Sequence, residues 1–264
     1  MHDDVRGWPS SDSELVDLQH GLAREAESVV AADPWLVPSG PLIGGCFVAY
    51  AAGEAGPGRP GDRAWAAAVI WRPGTSGGDR GRSVDHHLRG TSTAGQPRRA
   101  DDVLAQAAVA DRVPAAYVPG LLARREGPIL AAAVAALDVY PDVLLVDATG
   151  VDHHRRAGLA VHLGAVTGLP TVGVTQRPLV AAGPEPDLRR GALATVHLEG
   201  RRVGFWVCTR TGARPVVAHA GWRTTPETAA QTVLAASTEA ARTPVPLQEA
   251  RRVAREARAL AGSD

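Results

Sequence analysis

Two carboxylates of this chain stand where carboxylates can do chemistry. Asp147 closes a short apolar run, DVLLVD (142 to 147), and Thr149 and Gly150 follow it, giving the backbone a tight exit. In open α/β sheets functional groups gather outside the carboxyl ends of the parallel strands. An acid there can ligate a hard cation, or it can cap the segment that follows. Glu126 lies in YVPGLLARREGPIL, early on a helical stretch, where an acid also complements the helix dipole. Past the strand, GVDHHRRAG (150 to 158) sets His153, His154, Arg155 and Arg156 before a helix. Backbone N–H groups at such a helix start, with arginine forks beside them, can hold a phosphate; the alternative is a solvated basic loop. Tyr117 and Pro119, in AAYVPG, present an aromatic in a turn. It is either a staple onto the next helix or a wedge that stacks on bases. Trp222, in HAGWRTT beside Arg223, can pack or stack, and His219 nearby can act as an acid or a base.

These side chains need a scaffold, and the apolar pattern supplies one. Leu15, Leu18, Leu22, Ala26 and Val29 recur at helical spacing, so 13 to 32 reads as a helix capped by Ser11 or Ser13 and ended by Pro34. Segments 42 to 50 and 64 to 72 read as antiparallel strands joined by a Gly/Pro-rich loop, with a third strand near 103 to 110. Residues 73 to 102 are polar, Gly-rich and aperiodic, and read as a flexible insertion. A helix follows from Gly120 to Leu137. The run 142 to 147, a helix over 157 to 168 and the strand 170 to 174 then form a right-handed βαβ unit. A hairpin turning at Glu199-Gly200 comes next, then a strand at 215 to 218 and helices near 225 to 240 and 246 to 260. The expectation is one α/β domain over 1 to 264, a mixed sheet with helices on both faces.

Composition sets limits. Basic and acidic residues balance at 28 each, which gives no global support for a nucleic-acid binder and leaves room for a local basic stripe. Lysine is absent, so no ammonium is available for catalysis. Cys46 and Cys208 sit in apolar runs without CxxC spacing and read as buried thiols, neither a zinc site nor a disulfide framework. The polar N-terminus has no signal-peptide core, and no run of 18 apolar residues exists; a soluble cytoplasmic protein without membrane contact is expected.

Taken together, the segments resemble the endonuclease V family from about 14 to 260. The resemblance is carried by YVPGLLARRE (117 to 126), DVLLVDATG (142 to 150), HHRRAGLAVHLG (153 to 164), LPTVGVTQRPL (169 to 179), RGALA (190 to 194) and HAGWR (219 to 223). It implies a ribonuclease H-like fold and cleavage of nucleic acid near a deaminated purine, deoxyinosine or inosine, with Mg²⁺ or Mn²⁺. Such hydrolysis needs a metal-activated water and clustered carboxylates to hold the metal. Carried over, Glu126 and Asp147 are the metal carboxylates, and His153 is the histidine after them. Tyr117-Val118-Pro119-Gly120 is the wedge, with Ala116 where a proline is usual. Arg155, Arg156, Trp222 and Arg223 join the substrate-binding surface.

Three positions depart from the family. Phe47 stands where the first strand carries a metal-binding aspartate, Gln176 where a lysine follows the GV strand, and Trp222 where a histidine occupies the late turn. Phenylalanine cannot ligate a metal, and losing that carboxylate weakens both metal binding and Lewis-acid stabilisation. Rescue would need Glu54, Asp62 or Asp152 as a surrogate ligand and His219 in place of the lost histidine. The reading is therefore an endonuclease V-like protein whose metal site is impaired or rearranged. It acts on or binds DNA, with RNA as the alternative, as a monomer. A nucleic-acid-binding module without cleavage is the second reading, and a recruited protein scaffold the third.

Overall fold

In the computed structural model, residues 7–51, 58–73 and 103–262 are described. Glu54 and nearly all of the expected insertion, 74 to 102, lie outside them. The chain opens with helix α1 (Asp12–Ala32), where the Ser11 hydroxyl accepts the Glu14 N–H at 3.2 Å. Strands β1 (Ile43–Tyr50), β2 (Arg63–Trp71) and β3 (Val103–Arg112) follow, then α2 (Leu122–Ala135), β4 (Val143–Val146), α3 (Leu159–Thr167) and β5 (Thr171–Thr175). The remaining elements are β6 (Leu193–Leu198), β7 (Arg201–Val207), β8 (Val216–Ala220), α4 (Pro226–Ala235) and α5 (Val245–Ala261).

The eight strands form one sheet in the order β3-β2-β1-β4-β5-β8-β7-β6. Its centre, β1, β4 and β5, is parallel, and antiparallel strands flank it on both sides. The central strands read as continuous apolar runs because both of their faces are covered. One face carries α2 and α3, with α1 packed on α3; Leu130, Leu144, Val146 and Leu163 fill that core. The other face carries α4 and α5 over Val143, Leu145, Val172 and Leu247. The start of α5 lies close on β1 at Gly45, where any Cβ would stand 2.4 Å from the carbonyl carbon of Pro246. A glycine is therefore required for α5 to settle against the first strand.

The expected elements are present, with one helix shorter than read. The helix expected over 225 to 240 stops at Ala235. The Arg190 guanidinium takes the carbonyls of Leu234 and Ser237, at 3.2 and 2.8 Å, so the helix end is satisfied without a further turn. No helix among the described residues is long and apolar enough to cross a membrane.

His162 of α3 is fully buried and stacks on Trp8 with ring centroids 4.4 Å apart; its Nε2 lies 3.3 Å from the Gly7 carbonyl. Burial pushes its pKa down to about 4. The unfolded chain takes up this proton below about pH 6.5 and the folded chain only near pH 4, so His162 destabilises the fold as pH falls through that window. His162→Phe keeps the stack and removes the proton. Denaturant unfolding from pH 7 to pH 4.5 should show a shallower acid loss in the variant, by up to about 1.4 kcal/mol per pH unit.

Candidate active site

The in-register parallel pair β1–β4 decides what meets at the sheet's carboxyl edge. Cys46 faces Val146 across the ladder, so the next residues, Phe47 and Asp147, stand side by side. Helix α2 brings Glu126 over the same edge. A cavity of about 240 Å³ is lined by Cys46, Phe47, Tyr117, Leu122, Glu126 and Asp147, among others. The spacing of two carboxylates read from the sequence thus converges in one cleft.

Neither carboxylate is free. Glu126 Oε1 accepts the Tyr50 hydroxyl at 2.9 Å. Desolvation of its carboxyl end in the cleft floor pushes Glu126 up to about 7, Asp147 adds to the rise, and the Tyr50 hydrogen bond opposes it. Tyr50 is itself fixed by Arg125, whose guanidinium lies 4.4 Å over its ring and pairs with Asp62 at 2.9 Å. Asp147 Oδ2 accepts from the Arg251 guanidinium of α5 at 2.7 Å. The same guanidinium lies 5.2 Å over the ring of Phe47.

These donors do not fit a divalent cation. Mg²⁺ and Mn²⁺ call for oxygen ligands held by clustered carboxylates. Here Phe47 offers none, and an arginine occupies the open side of Asp147. Among the described residues no group of three or more His, Cys, Asp or Glu could hold a metal. The surrogate acids are engaged elsewhere. Asp62 is tied to Arg125 and to the Arg59 N–H. Asp152 accepts the N–H groups of Leu179, Val180 and Ala181 at 2.7, 3.0 and 2.8 Å. Glu54 lies outside the described residues.

Tyr117 and Val118 are exposed, 45 and 39 %, at the tip before α2, with Pro119 also exposed. Tyr117 borders a second cavity as well, about 230 Å³, with Gln19, Gly120, Asp147, His153 and Thr175 among its walls. Gly120 adopts φ +80°, and its carbonyl gathers His153 Nε2 at 3.0 Å and Arg155 at 2.9 Å. Arg155 also donates to Gln19 at 2.6 Å. Burial, with Arg155 nearby, holds His153 down to about 4, so it is a neutral imidazole at pH 7.

Several expected contacts with substrate are corrected. Trp222 is 3 % exposed and packs with Leu22, Ala157 and Val161, so it cannot stack on a base. Its large apolar ring is worth more in the α1–α3 core than at the surface. Arg223 pairs with Asp33 at 2.5 Å, and Arg156 with Glu27 and Glu199, so local acids hold these cations on the far side of the turn. Arg155 is committed to the Gly120 turn as a positioning group. Gln176 is exposed. His219 is fully buried and does not reach the carboxylate cleft; it links Asp152, 3.5 Å from Nδ1, to the Thr175 hydroxyl, 2.7 Å from Nε2. Sequence reasoning missed Arg251, Tyr50 and this Asp152–His219–Thr175 chain. Nothing in the helical run VPLQEARRVAREAR marks Arg251 apart from its solvated neighbours.

A parallel-centred sheet with carboxylates at its carboxyl edge and helices on both faces is the frame of a ribonuclease H-like nuclease. Residues 94–252 match the model of the family described as Endonuclease V. The chain belongs to the endonuclease V family. It is 38% identical over 163 residues to an Endonuclease V of a Roseiflexus species, covering 62% of this chain and 72% of the relative. It is 43% identical over 121 residues to an Endonuclease V of Streptomyces coelicolor, covering 46% and 52%, so that match spans about half of the relative's length. The crystal structure of the Endonuclease V from Streptomyces avermitilis superposes with TM-score 0.75 at 31% identity, covering 97% of this chain and 96% of that one. Endonuclease V of Ciona intestinalis, in complex with a 23mer DNA containing an inosine followed by a ribo-adenosine, shares the fold with TM-score 0.63 at 18% identity. The matched segment begins after β1, so the strand that carries Phe47 lies outside it.

Asp152 is a structural acid, which a stability measurement can check. Asp152→Ala removes a fully buried carboxylate and leaves the N–H groups of Leu179, Val180 and Ala181 without it, and should lower the unfolding free energy by about 3 kcal/mol in urea. A loss below about 1 kcal/mol, typical of a surface change, would free Asp152 for a role as a ligand.

Proposed function

We propose that this chain is an endonuclease V-like protein that recognises a nucleic-acid strand carrying a deaminated purine and does not hydrolyse it by metal-dependent chemistry. The observation that carries the reading is the pairing of an exposed Tyr117 with two adjoining cavities, one of which keeps Glu126 and Asp147 but has Phe47 in its wall and Arg251 paired with Asp147. An enzyme must take a base out of the stack to inspect it, and an aromatic wedge fills the gap left behind. Tyr117 is placed to wedge. The cavity walled by Gly120, His153 and Thr175 is placed to take the everted base. Neutral His153 donates from Nε2 to the Gly120 carbonyl and accepts the Arg155 N–H at Nδ1, so its ring forms part of the cavity wall and is held in place from both nitrogens.

The inosine-containing DNA held by the Ciona relative supports a deaminated purine as the ligand. DNA is the partner proposed first, with RNA as the alternative, and the process served is DNA repair. The protein acts as one endonuclease V-like unit and as a monomer. Hydrolysis with Mg²⁺ or Mn²⁺ is the family's chemistry; this cleft keeps two of its carboxylates, Glu126 and Asp147, without a fitting donor set.

Strand cleavage of a deoxyinosine oligonucleotide, with Mg²⁺ and then Mn²⁺, tests the reading beside an Asp147→Ala control. No cleavage is expected, with binding retained in a gel shift and weakened by rising salt. Tyr117→Ala should weaken that binding by about 1 to 3 kcal/mol, the worth of one stacked base. Cleavage that the control abolishes would restore the active nuclease, and no binding at all would leave a scaffold.

A further inference from the structure

Arg251 is the one group in the carboxylate cleft whose role the family chemistry does not explain. Its guanidinium is anchored on two sides, by Asp147 at 2.7 Å and by the face of Phe47 at 5.2 Å. Its Nε is buried and has no hydrogen-bond partner among the described residues. Its side chain keeps 27 % of its surface, so the group is not sealed in. A guanidinium carries five N–H donors in a fork that matches phosphate. Among the described residues, Asp147 is the carboxylate paired with it.

Charge and chemistry agree. Two carboxylates without a cation repel a phosphodiester. Arg251 cancels the charge of Asp147, and its side chain lines the groove on α5 beside the cleft. One helical turn along α5, Arg255 is exposed on the same groove, which Arg251, Arg252, Arg255 and Glu256 line. Arg252 pairs with Glu249 and Glu256, at 2.8 and 2.7 Å, and Arg251 with Asp147 at 2.7 Å, while Arg255 is exposed on the same groove. Phe47 and Arg251 act together, since a small or acidic side chain at 47 would remove the ring on which the guanidinium lies.

We propose that Arg251 is the built-in cation of this cleft: its guanidinium stands in the place of a divalent metal and binds the phosphate backbone of a nucleic acid, so that recognition needs no metal. The phosphate contact rests on the proposed function; the exclusion of a metal does not. The pair with Asp147 is half-exposed and by itself weakly stabilising. What refuses a metal is the shortage of donors together with a fixed like charge beside the remaining carboxylate.

Two measurements on the full chain test the two halves. The first titrates Mn²⁺ alone and follows the free ion by electron paramagnetic resonance. The parent should bind none at the cleft, and the double variant Phe47→Asp/Arg251→Asp, which restores oxygen donors on both sides of Asp147, should bind Mn²⁺ at least about ten-fold tighter than the parent. Parent binding that Asp147→Ala removes would overturn the substitution. The second measures fluorescence anisotropy of a labelled single-stranded deoxyinosine oligonucleotide in excess EDTA and then in Mg²⁺. The parent Kd should be the same in both, and Arg251→Gln should weaken it about ten-fold at unchanged Tm, the loss of one charge-assisted contact. Arg255→Gln should reduce the slope of log K against log salt by about one. Binding that requires Mg²⁺, or Arg251→Gln equal to the parent, would overturn the phosphate contact. A parent that refuses Mn²⁺ and binds no nucleic acid would sink the proposed function and the phosphate contact while upholding the substitution of the metal.

Discussion

Much of this molecule follows from one constraint, the in-register parallel pairing of β1 with β4. It sets Phe47 beside Asp147 at the carboxyl edge of the sheet. A parallel pair must be covered on both faces, and the helices that cover it deliver the rest of the cleft. Helix α2 brings Glu126 from one side, and α5 brings Arg251 from the other, seated close on β1 because Gly45 has no Cβ. The cleft is the place where four elements meet, and its chemistry is set by which side chain each one presents.

The side chains that meet there already have partners. Glu126 accepts the Tyr50 hydroxyl. Asp147 is already neutralised by a guanidinium. Phe47 supplies a π face, which attracts the arginine and offers no lone pair. The scaffold keeps Glu126 and Asp147 at the sheet edge and sets an arginine and an aromatic ring beside them.

The turn at Tyr117 is built differently from the carboxylate cleft. The Tyr117 turn stays at the surface, and the Gly120 carbonyl behind it is clamped by His153 and Arg155. The second cavity is buttressed from beneath by Thr175, His219 and Asp152, with the Asp152 carboxylate satisfied by three N–H groups. The three N–H bonds to Asp152 and the Thr175–His219 contact hold that wall in place.

The sequence by itself determined the element order, the βαβ unit, the placement of Asp147 at the end of a parallel strand and the aromatic turn at Tyr117. Each of these follows from local signals: apolar period, glycine and proline punctuation, and an acid closing an apolar run. It also determined that Phe47 cannot ligate a metal, since that depends on residue type alone. Only the tertiary structure decided what each polar side chain does. Trp222 looked available for stacking and is buried, because α1 and α3 close over it. Arg156 and Arg223 looked like substrate contacts and are paired with acids from other parts of the chain, Glu27 and Glu199 for the first and Asp33 for the second. Arg251 drew no reading from the sequence and pairs with Asp147 at the sheet edge. An arginine's partner is set by which helix crosses which strand, a long-range fact that no window of sequence contains.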